Sequence, residues 1–260
     1  MKKKIKIVLL GDSITQGIGS KKFNYTELLE NNLKMHDIIP EILNLALTGT
    51  TIEYAFSQLQ KIVETNPKYI VIMYGSVDLQ IRPNMESNKW GILSLTPKRY
   101  KEIKGMLNPR PFMSKKTGKY ILECLDNIYR KLWKKIVLIT QGSMQYLTEE
   151  QFEEKYRKLI CKTECNHICC SMVYVDSAIY TEQTNSNYRK ANAFLQNMSN
   201  LNNQKINFVD LYNRQKEVVE KKGWDDIYYK DHFHPNSKGY ALIAHEIAEE
   251  ILNCEKRING

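Results

Sequence analysis

Short apolar runs alternate with amphipathic stretches along most of the chain. Five runs rich in apolar residues are typical of buried strands: Ile5–Leu10, Glu41–Ala46, Tyr69–Tyr74, Ile136–Thr140 and Ile206–Leu211. Apolar residues at three- and four-residue spacing predict helices between them, over residues 25–33, 52–63, 120–133, 148–160, 187–198 and 236–252. Strands that alternate with helices predict a mostly parallel sheet covered on both faces.

One stretch interrupts this alternation. Residues 80–120 contain four prolines and no clear strand pattern, which indicates an insertion or a lid. The chain has 260 residues, of which 42% are hydrophobic and 26% are charged, an ordinary globular composition. We therefore predict a single α/β domain over residues 1–260, with the insertion at about 80–120.

The same interrupted stretch carries most of the positive charge. The segment from Arg82 to Lys119 has ten Lys or Arg residues and two acidic residues, in a chain whose net charge is +9. Such a segment either steers an anionic substrate or forms a solvated surface. Its aromatic content is modest, so we predict no nucleic-acid partner. Trp90 and Phe112 either line a substrate groove or anchor the insertion.

The chain start and the cysteines bear on location and on metal binding. The apolar run Ile5–Leu10 is too short for the core of a signal peptide, and no run approaches the ~20 residues that span a bilayer. We therefore predict a cytoplasmic protein without a membrane span. Four of the six cysteines cluster between Cys161 and Cys170, around His167. Their spacing is a weak zinc signal, and buried packing is the alternative, so we predict no metal and no cofactor.

The first candidate for chemistry is a serine that follows the first predicted strand. Gly11 ends the strand, and Asp12 and Ser13 come directly after it. Reactive groups of α/β folds lie at the carboxyl ends of strands. The alternative is a simple turn in which Asp12 or Ser13 caps the next helix.

A serine nucleophile needs a base, and the C-terminal part of the chain offers one. Asp231 and His234 lie three residues apart before a predicted helix, so the carboxylate can orient the imidazole. His232 is adjacent to Asp231, and we prefer His234 as the base because its spacing suits the role. Backbone amides at turns are suitable donors to an oxyanion, and those of Ser13 and Gly49 are the candidates.

Four blocks in order give a resemblance to a known family. Gly11-Asp12-Ser13, Asn44 to Gly49, Gly75-x-x-Asp78 and Asp231-x-x-His234 resemble the blocks of the SGNH (GDSL-type) hydrolases. The resemblance implies a flavodoxin-like three-layer α/β/α sandwich with a mostly parallel five-stranded sheet. It implies ester hydrolysis without a metal.

The resemblance also implies a role for each block residue. Ser13 is then the nucleophile, His234 the base and Asp231 the residue that orients it, with the amides of Ser13 and Gly49 as the oxyanion hole. Asp12, Gly75 and Asp78 are expected to support the loops.

One block departs from the family pattern. The family has an asparagine that donates to the oxyanion just before the aspartate of the third block, and this chain has Val77 there. Valine has no donor, and losing one such donor costs about 10²–10³ in rate. Either a neighbour among Ser76, Gln80 and Asn84 supplies it, or the site works with two donors.

These observations predict a serine esterase that hydrolyses a small acyl ester through an acyl-enzyme. An O-acetyl group on a carbohydrate is the substrate that the resemblance favours, and the basic segment favours an anionic one. One alternative is an acyltransferase that takes the acyl group from a phosphate-bearing donor. Another is a non-catalytic binding protein that keeps the fold.

Overall fold

A five-stranded, fully parallel sheet forms the centre of the molecule. The computed structural model describes residues 3–20, 24–86, 89–101, 107–201 and 205–259. The strands are β1 (Lys3–Gly11), β2 (Ile38–Asn44), β3 (Tyr69–Met73), β4 (Asn166–Cys170) and β5 (Ile206–Val209). Their order in the sheet is β2-β1-β3-β4-β5. This order confirms the expected flavodoxin-like sheet.

Helices cover the sheet on both faces. The described helices are α1 (Ser13–Gln16), α2 (Tyr25–Lys34), α3 (Glu53–Ser57), α4 (Leu59–Thr65), α5 (Lys98–Lys101), α6 (Thr117–Gln141), α7 (Glu149–Cys161), α8 (Ser177–Tyr180), α9 (Glu182–Leu201), α10 (Leu211–Lys222) and α11 (Ser237–Asn259). Helices α2 and α11 pack together over the sheet, and α7 packs with α9. Right-handed crossovers assign these two pairs to opposite faces.

The strand β1 shows why the sheet is central. Its residues Ile7, Val8, Leu9 and Leu10 are fully buried, so apolar side chains lie on both of its faces. A strand covered on both sides reads as a continuous apolar run, which is the pattern that predicted it.

The fourth strand is not where the sequence pattern predicted it. The run Ile136–Thr140 is the end of helix α6, and the fourth strand is Asn166–Cys170, within the cysteine cluster. A short apolar run does not distinguish a strand from a helix by its period alone. Cysteine behaves as a small hydrophobe, and Cys169 and Cys170 are buried in β4.

Helix α6 presents apolar side chains to the outside. Its exposed residues include Ile121, Leu122, Leu125, Ile128, Leu132, Ile136 and Ile139. Its inward face instead carries the buried Arg130, Lys134, Val137 and Gln141. Of the apolar residues that suggested a strand, Ile136 and Ile139 therefore belong to an outward stripe with helical spacing, whereas Val137 faces inward.

The region predicted as an insertion packs against α6. It contains a two-residue strand, Arg82–Pro83, paired with Ser143–Met144, and a 3₁₀ helix, Lys89–Leu95. Tyr100, Leu107 and Val137 form a small apolar cluster apart from the main core. Residues 87–88 and 102–106 of this region lie outside the described part of the chain.

Three further findings bear on the sequence predictions. In the described ranges, no helix combines the length and apolarity needed to cross a membrane. His167 is buried, with Nε2 2.7 Å from Thr163 Oγ1, and burial lowers its pKa to about 4. Among the described residues, no three His, Cys, Asp or Glu side chains are grouped as metal ligands.

Candidate active site

Ser13 begins the short helix α1 directly after β1. Asp12 caps this helix, because its Oδ1 accepts a hydrogen bond of 3.0 Å from the amide of Ile14. Gly11 is required for the turn, since a Cβ there would lie 2.0 Å from Thr15 Oγ1 and 2.9 Å from the Met73 carbonyl oxygen. The capping turn is therefore present with Asp12 as the cap, and it leaves the side chain of Ser13 available for the expected chemistry.

His234 and Asp231 lie next to Ser13, as the sequence predicted. His234 Nε2 is 3.0 Å from Ser13 Oγ, and His234 Nδ1 is 2.5 Å from Asp231 Oδ2. Asp231 Oδ1 accepts hydrogen bonds from the amides of Phe233 and His234, at 3.3 and 3.1 Å. These contacts fix the buried carboxylate and hold the imidazole towards the serine.

His232 takes part in a different pair. Its Nδ1 lies 2.8 Å from Asp176 Oδ2, and its ring stacks on Trp224 with centroids 5.0 Å apart. It does not line the cleft that contains Ser13. The described part of the chain therefore holds two His–Asp pairs, and there only that of His234 reaches Ser13.

The amides expected to form the oxyanion hole lie at the same cleft. Ser13 and Gly49 both line it, and neither amide has a hydrogen-bond acceptor among the described residues. Gln16 Oε1 accepts a hydrogen bond of 2.8 Å from the amide of Thr48, which ties the Gly49 turn to α1. Gly49 has a φ of +74°, a conformation that favours glycine.

Asp78 joins the loops that carry these groups. Its two carboxylate oxygens accept hydrogen bonds from the amides of Ile52 (2.8 Å) and Gly75 (3.0 Å). Gly75 has a φ of +118°. Burial raises the pKa of Asp78 to about 7 and that of Asp12 to about 6. Both carboxylates bind backbone, which is the arrangement expected of supporting residues.

The position of the missing asparagine is apolar in the structure as well. Val77 is buried and lines the cleft. Ser76 and Gln80 line the same cleft. Asn84 does not line it, and its Oδ1 accepts a hydrogen bond from the amide of Glu86. Two of the three candidate donors are therefore placed near Ser13.

The cleft has a volume of about 370 Å³ and an unexpectedly basic wall. Arg82, Arg110 and Arg130 line it, together with Asn108 and Phe112. Sequence reasoning grouped Arg82 and Arg110 within a basic segment but did not single out any cation for the site, because charge alone does not reveal which arginines are buried. Phe112 contacts Tyr229 edge to face at 4.9 Å, whereas the side chain of Trp90 lies outside the described residues.

Comparison with solved structures identifies similar folds over nearly the whole chain. The superposition with Axe2, an acetylxylan esterase from Geobacillus stearothermophilus, covers 96% of each chain with a TM-score of 0.57 and 16% sequence identity. A lipase/acylhydrolase from Enterococcus faecalis covers 95% of both chains with a TM-score of 0.59 and 18% identity. The acetyl xylan esterase AlAXEase covers 94% of this chain and 98% of its own, with a TM-score of 0.56 and 15% identity. At these identities the likeness establishes the fold.

The family assignment rests on a sequence comparison. Curated protein sequences gave no match. The model of the GDSL-like lipase/acylhydrolase family matches residues 7–247, a range that contains all four sequence blocks. The chain therefore belongs to the GDSL-like lipase/acylhydrolase family, whose members are serine hydrolases.

Proposed function

We propose that the chain is a serine esterase that removes a small acyl group, with an O-acetyl group on a carbohydrate as its substrate class. The observation that carries this proposal is the hydrogen-bonded series Ser13–His234–Asp231 at the cleft. The match to GDSL-like lipases and acylhydrolases supports the reaction class. Two similar structures are described as acetylxylan esterases, which supports the acetylated carbohydrate.

In the proposed mechanism Ser13 Oγ attacks the acyl carbonyl carbon while His234 Nε2 takes its proton. Asp231 stabilises the imidazolium that forms. The C–O bond to the leaving group then breaks, and His234 returns the proton to the departing alcohol oxygen. Water repeats the sequence on the acyl-enzyme, with His234 as its base, and releases the acid and free Ser13.

The negative charge on the carbonyl oxygen needs donors at the cleft. The amides of Ser13 and Gly49 are free to provide two. We assign the third to the carboxamide of Gln80, which is buried, lines the cleft and has no hydrogen-bond partner among the described residues. It carries the same donor group as the absent asparagine, on a side chain longer by one methylene.

The shape of the cleft fits a small acylated ring better than a long acyl chain. Its volume of about 370 Å³ is at the lower end of the range for small-molecule sites. Phe112, Tyr180 and Phe233 line it, and aromatic rings can pack against the faces of sugars. Residues 108–112 supply part of this wall, which supports a lid role for the region predicted as an insertion.

Hydrolysis of p-nitrophenyl acetate and of acetylated xylose by the wild type and by Ser13→Ala tests the proposal. A fluorophosphonate should modify the serine that is required for turnover, so Ser13→Ala should lose both labelling and turnover. Ser76→Ala is the matched control, since Ser76 lines the same cleft and its variant should still be labelled. A wild type that neither turns over nor labels would overturn the esterase and favour a binding protein.

The acyltransferase is the second candidate, favoured by the arginines of the cleft, which suit a phosphate-bearing donor. It predicts that an added hydroxyl acceptor accelerates release of p-nitrophenol and becomes acylated. The esterase predicts acetate as the product with or without acceptor.

A further inference from the structure

Two buried cations next to the cleft have no acidic partner among the described residues. The exposed fraction of Arg82 is 3% and that of Lys134 is 5%. The neighbouring Arg130 differs, because its Nε donates to Asp126 Oδ2 at 2.9 Å. Asp126 also accepts from Arg110 and Tyr100. The acid in this wall is therefore already shared by two arginines.

Arg82 satisfies only part of its hydrogen-bonding capacity. Its Nη2 donates to the Val77 carbonyl oxygen at 2.7 Å, and its guanidinium carbon lies 4.2 Å from the ring centroid of Tyr146. Its Nε is buried without an acceptor. A guanidinium offers five N–H donors in a planar fork, so a buried group at the cleft wall retains donors for a ligand.

Lys134 adds a second positive charge behind the same wall. Its Nζ donates to Asn108 Oδ1 at 2.6 Å and to the Ile179 carbonyl oxygen at 2.8 Å, and both acceptors are neutral. Burial, and then the charge of Arg82, lower the pKa of Lys134 to about 7. The two cations are therefore close enough to repel each other.

The carboxylates that do influence Arg82 compensate it poorly. Asp12 and Asp78 are within electrostatic range of the guanidinium. Both are buried, and both direct carboxylate oxygens at backbone amides rather than at the arginine. An isolated buried charge is costly unless it is paired. A site that keeps this imbalance beside a nucleophile is suited to a ligand that brings the missing negative charge.

We propose that Arg82 binds an anionic group, a carboxylate or a phosphate, carried by the ester that Ser13 attacks. The planar fork of Arg82 matches both groups, and Lys134 adds to the local positive field in its protonated form, which a bound anion favours. This inference rests on the proposed esterase function and names its substrate class. An arginine that merely holds the Val77 loop would give no preference for charged esters.

Three acetate esters of increasing charge test the inference in the wild type. Phenyl acetate is neutral, 3-acetoxybenzoate carries a carboxylate and 3-acetoxyphenyl phosphate carries a phosphate. We expect kcat/KM for at least one anionic ester to exceed that for phenyl acetate by about 10–100-fold, the range of a charge-assisted hydrogen bond. The anionic ester with the higher kcat/KM shows whether Arg82 prefers a carboxylate or a phosphate. A ratio near one in the wild type would overturn the inference.

Substitutions of Arg82 test whether this residue causes the preference for anionic esters. Arg82→Met should lower the ratio of anionic to neutral kcat/KM by about 10–100-fold, and Arg82→Lys, which keeps the charge without the fork, should lower it less. Arg214→Met is the matched control, since it removes one positive charge from an exposed arginine on α10. An unchanged ratio in folded Arg82→Met would overturn the inference.

A binding measurement separates this inference from the esterase function. Calorimetry on Ser13→Ala compares 3-hydroxybenzoate with its neutral amide, 3-hydroxybenzamide, and needs no turnover. Tighter binding of the carboxylate that disappears in Ser13→Ala/Arg82→Met would support the anion site even in a chain without esterase activity. If both compounds bind equally and the wild type is an active esterase without a charge preference, the esterase function is retained and the anion site at Arg82 is ruled out.

Discussion

The imidazole of His234 meets the hydroxyl of Ser13 at 3.0 Å although the two residues lie 221 positions apart in the chain. Asp231, by contrast, is only three positions from His234 and holds it from within one loop. The proposed base and its orienting acid therefore form one local unit, and the fold brings Ser13 to it.

Asp231→Asn is expected to lower kcat for p-nitrophenyl acetate by about 10³–10⁴. An amide in place of the carboxylate no longer fixes the tautomer of His234 or stabilises its charged form. Asp176→Asn is the control, because Asp176 forms the same kind of contact with His232 away from the cleft. Equal losses in the two variants would contradict the assignment of His234 as the base.

Gln80→Leu should lower kcat by about 10²-fold with a much smaller change in KM. The lost donor stabilises charge that exists only in the transition state, so binding of the ground state is largely spared. Ser76→Ala tests the other cleft hydroxyl. A large loss of kcat in Ser76→Ala with none in Gln80→Leu would transfer the third donor role to Ser76.

Val137 and Ile139 distinguish the helix from the strand predicted over this run. Residues two apart share a face of a strand but lie on opposite sides of a helix, and Val137 is fully buried whereas Ile139 is 84% exposed. Val137→Asp should lower the unfolding free energy by more than about 3 kcal/mol, because it buries an unpaired charge. Ile139→Asp should change it by less than about 0.5 kcal/mol. Urea denaturation measures both, and equal effects would contradict the helix.

His167 makes the fold sensitive to mild acid. Burial lowers its folded-state pKa to about 4, so between that pH and about 6.5 the unfolded chain binds a proton that the folded chain does not. Stability therefore falls as pH drops through this window. Between pH 7 and 4.5 the wild type should lose roughly 2–3 kcal/mol more than His167→Gln. The exposed His36→Gln should behave like the wild type, and parallel losses in all three proteins would refute the prediction.

The sequence pattern predicted strands correctly where both faces of the strand are buried, because such strands are continuous apolar runs. The run before Ser13 and the run Tyr69–Tyr74 identified β1 and β3 because both faces of those strands are covered. The sequence pattern missed strand β4 because three of its four buried residues are His167, Cys169 and Cys170, which do not indicate a strand by type. The run at the end of α6 misled because two of its apolar residues, Ile136 and Ile139, lie on the exposed side of a helix.

The sequence likewise identified some residues of the candidate site and missed others. Ser13, Gly49, Asp231 and His234 could be found because each occupies a short block next to a turn. Arg82 could not be distinguished from the other cations of its segment, since the properties that make it a candidate binding residue are its burial and its lack of an acidic partner among the described residues. Its burial depends in part on α6, which packs against the strand Arg82–Pro83 only in the folded chain.

The separation along the chain between the proposed nucleophile and its proposed base has a consequence during synthesis. The loop of Asp231 and His234 leaves the ribosome more than two hundred residues after Ser13. On the proposed function, Ser13 stays unactivated until that loop has been made and has packed beside it. Labelling by a fluorophosphonate, added at successive times after dilution from denaturant, would then report when this late contact forms.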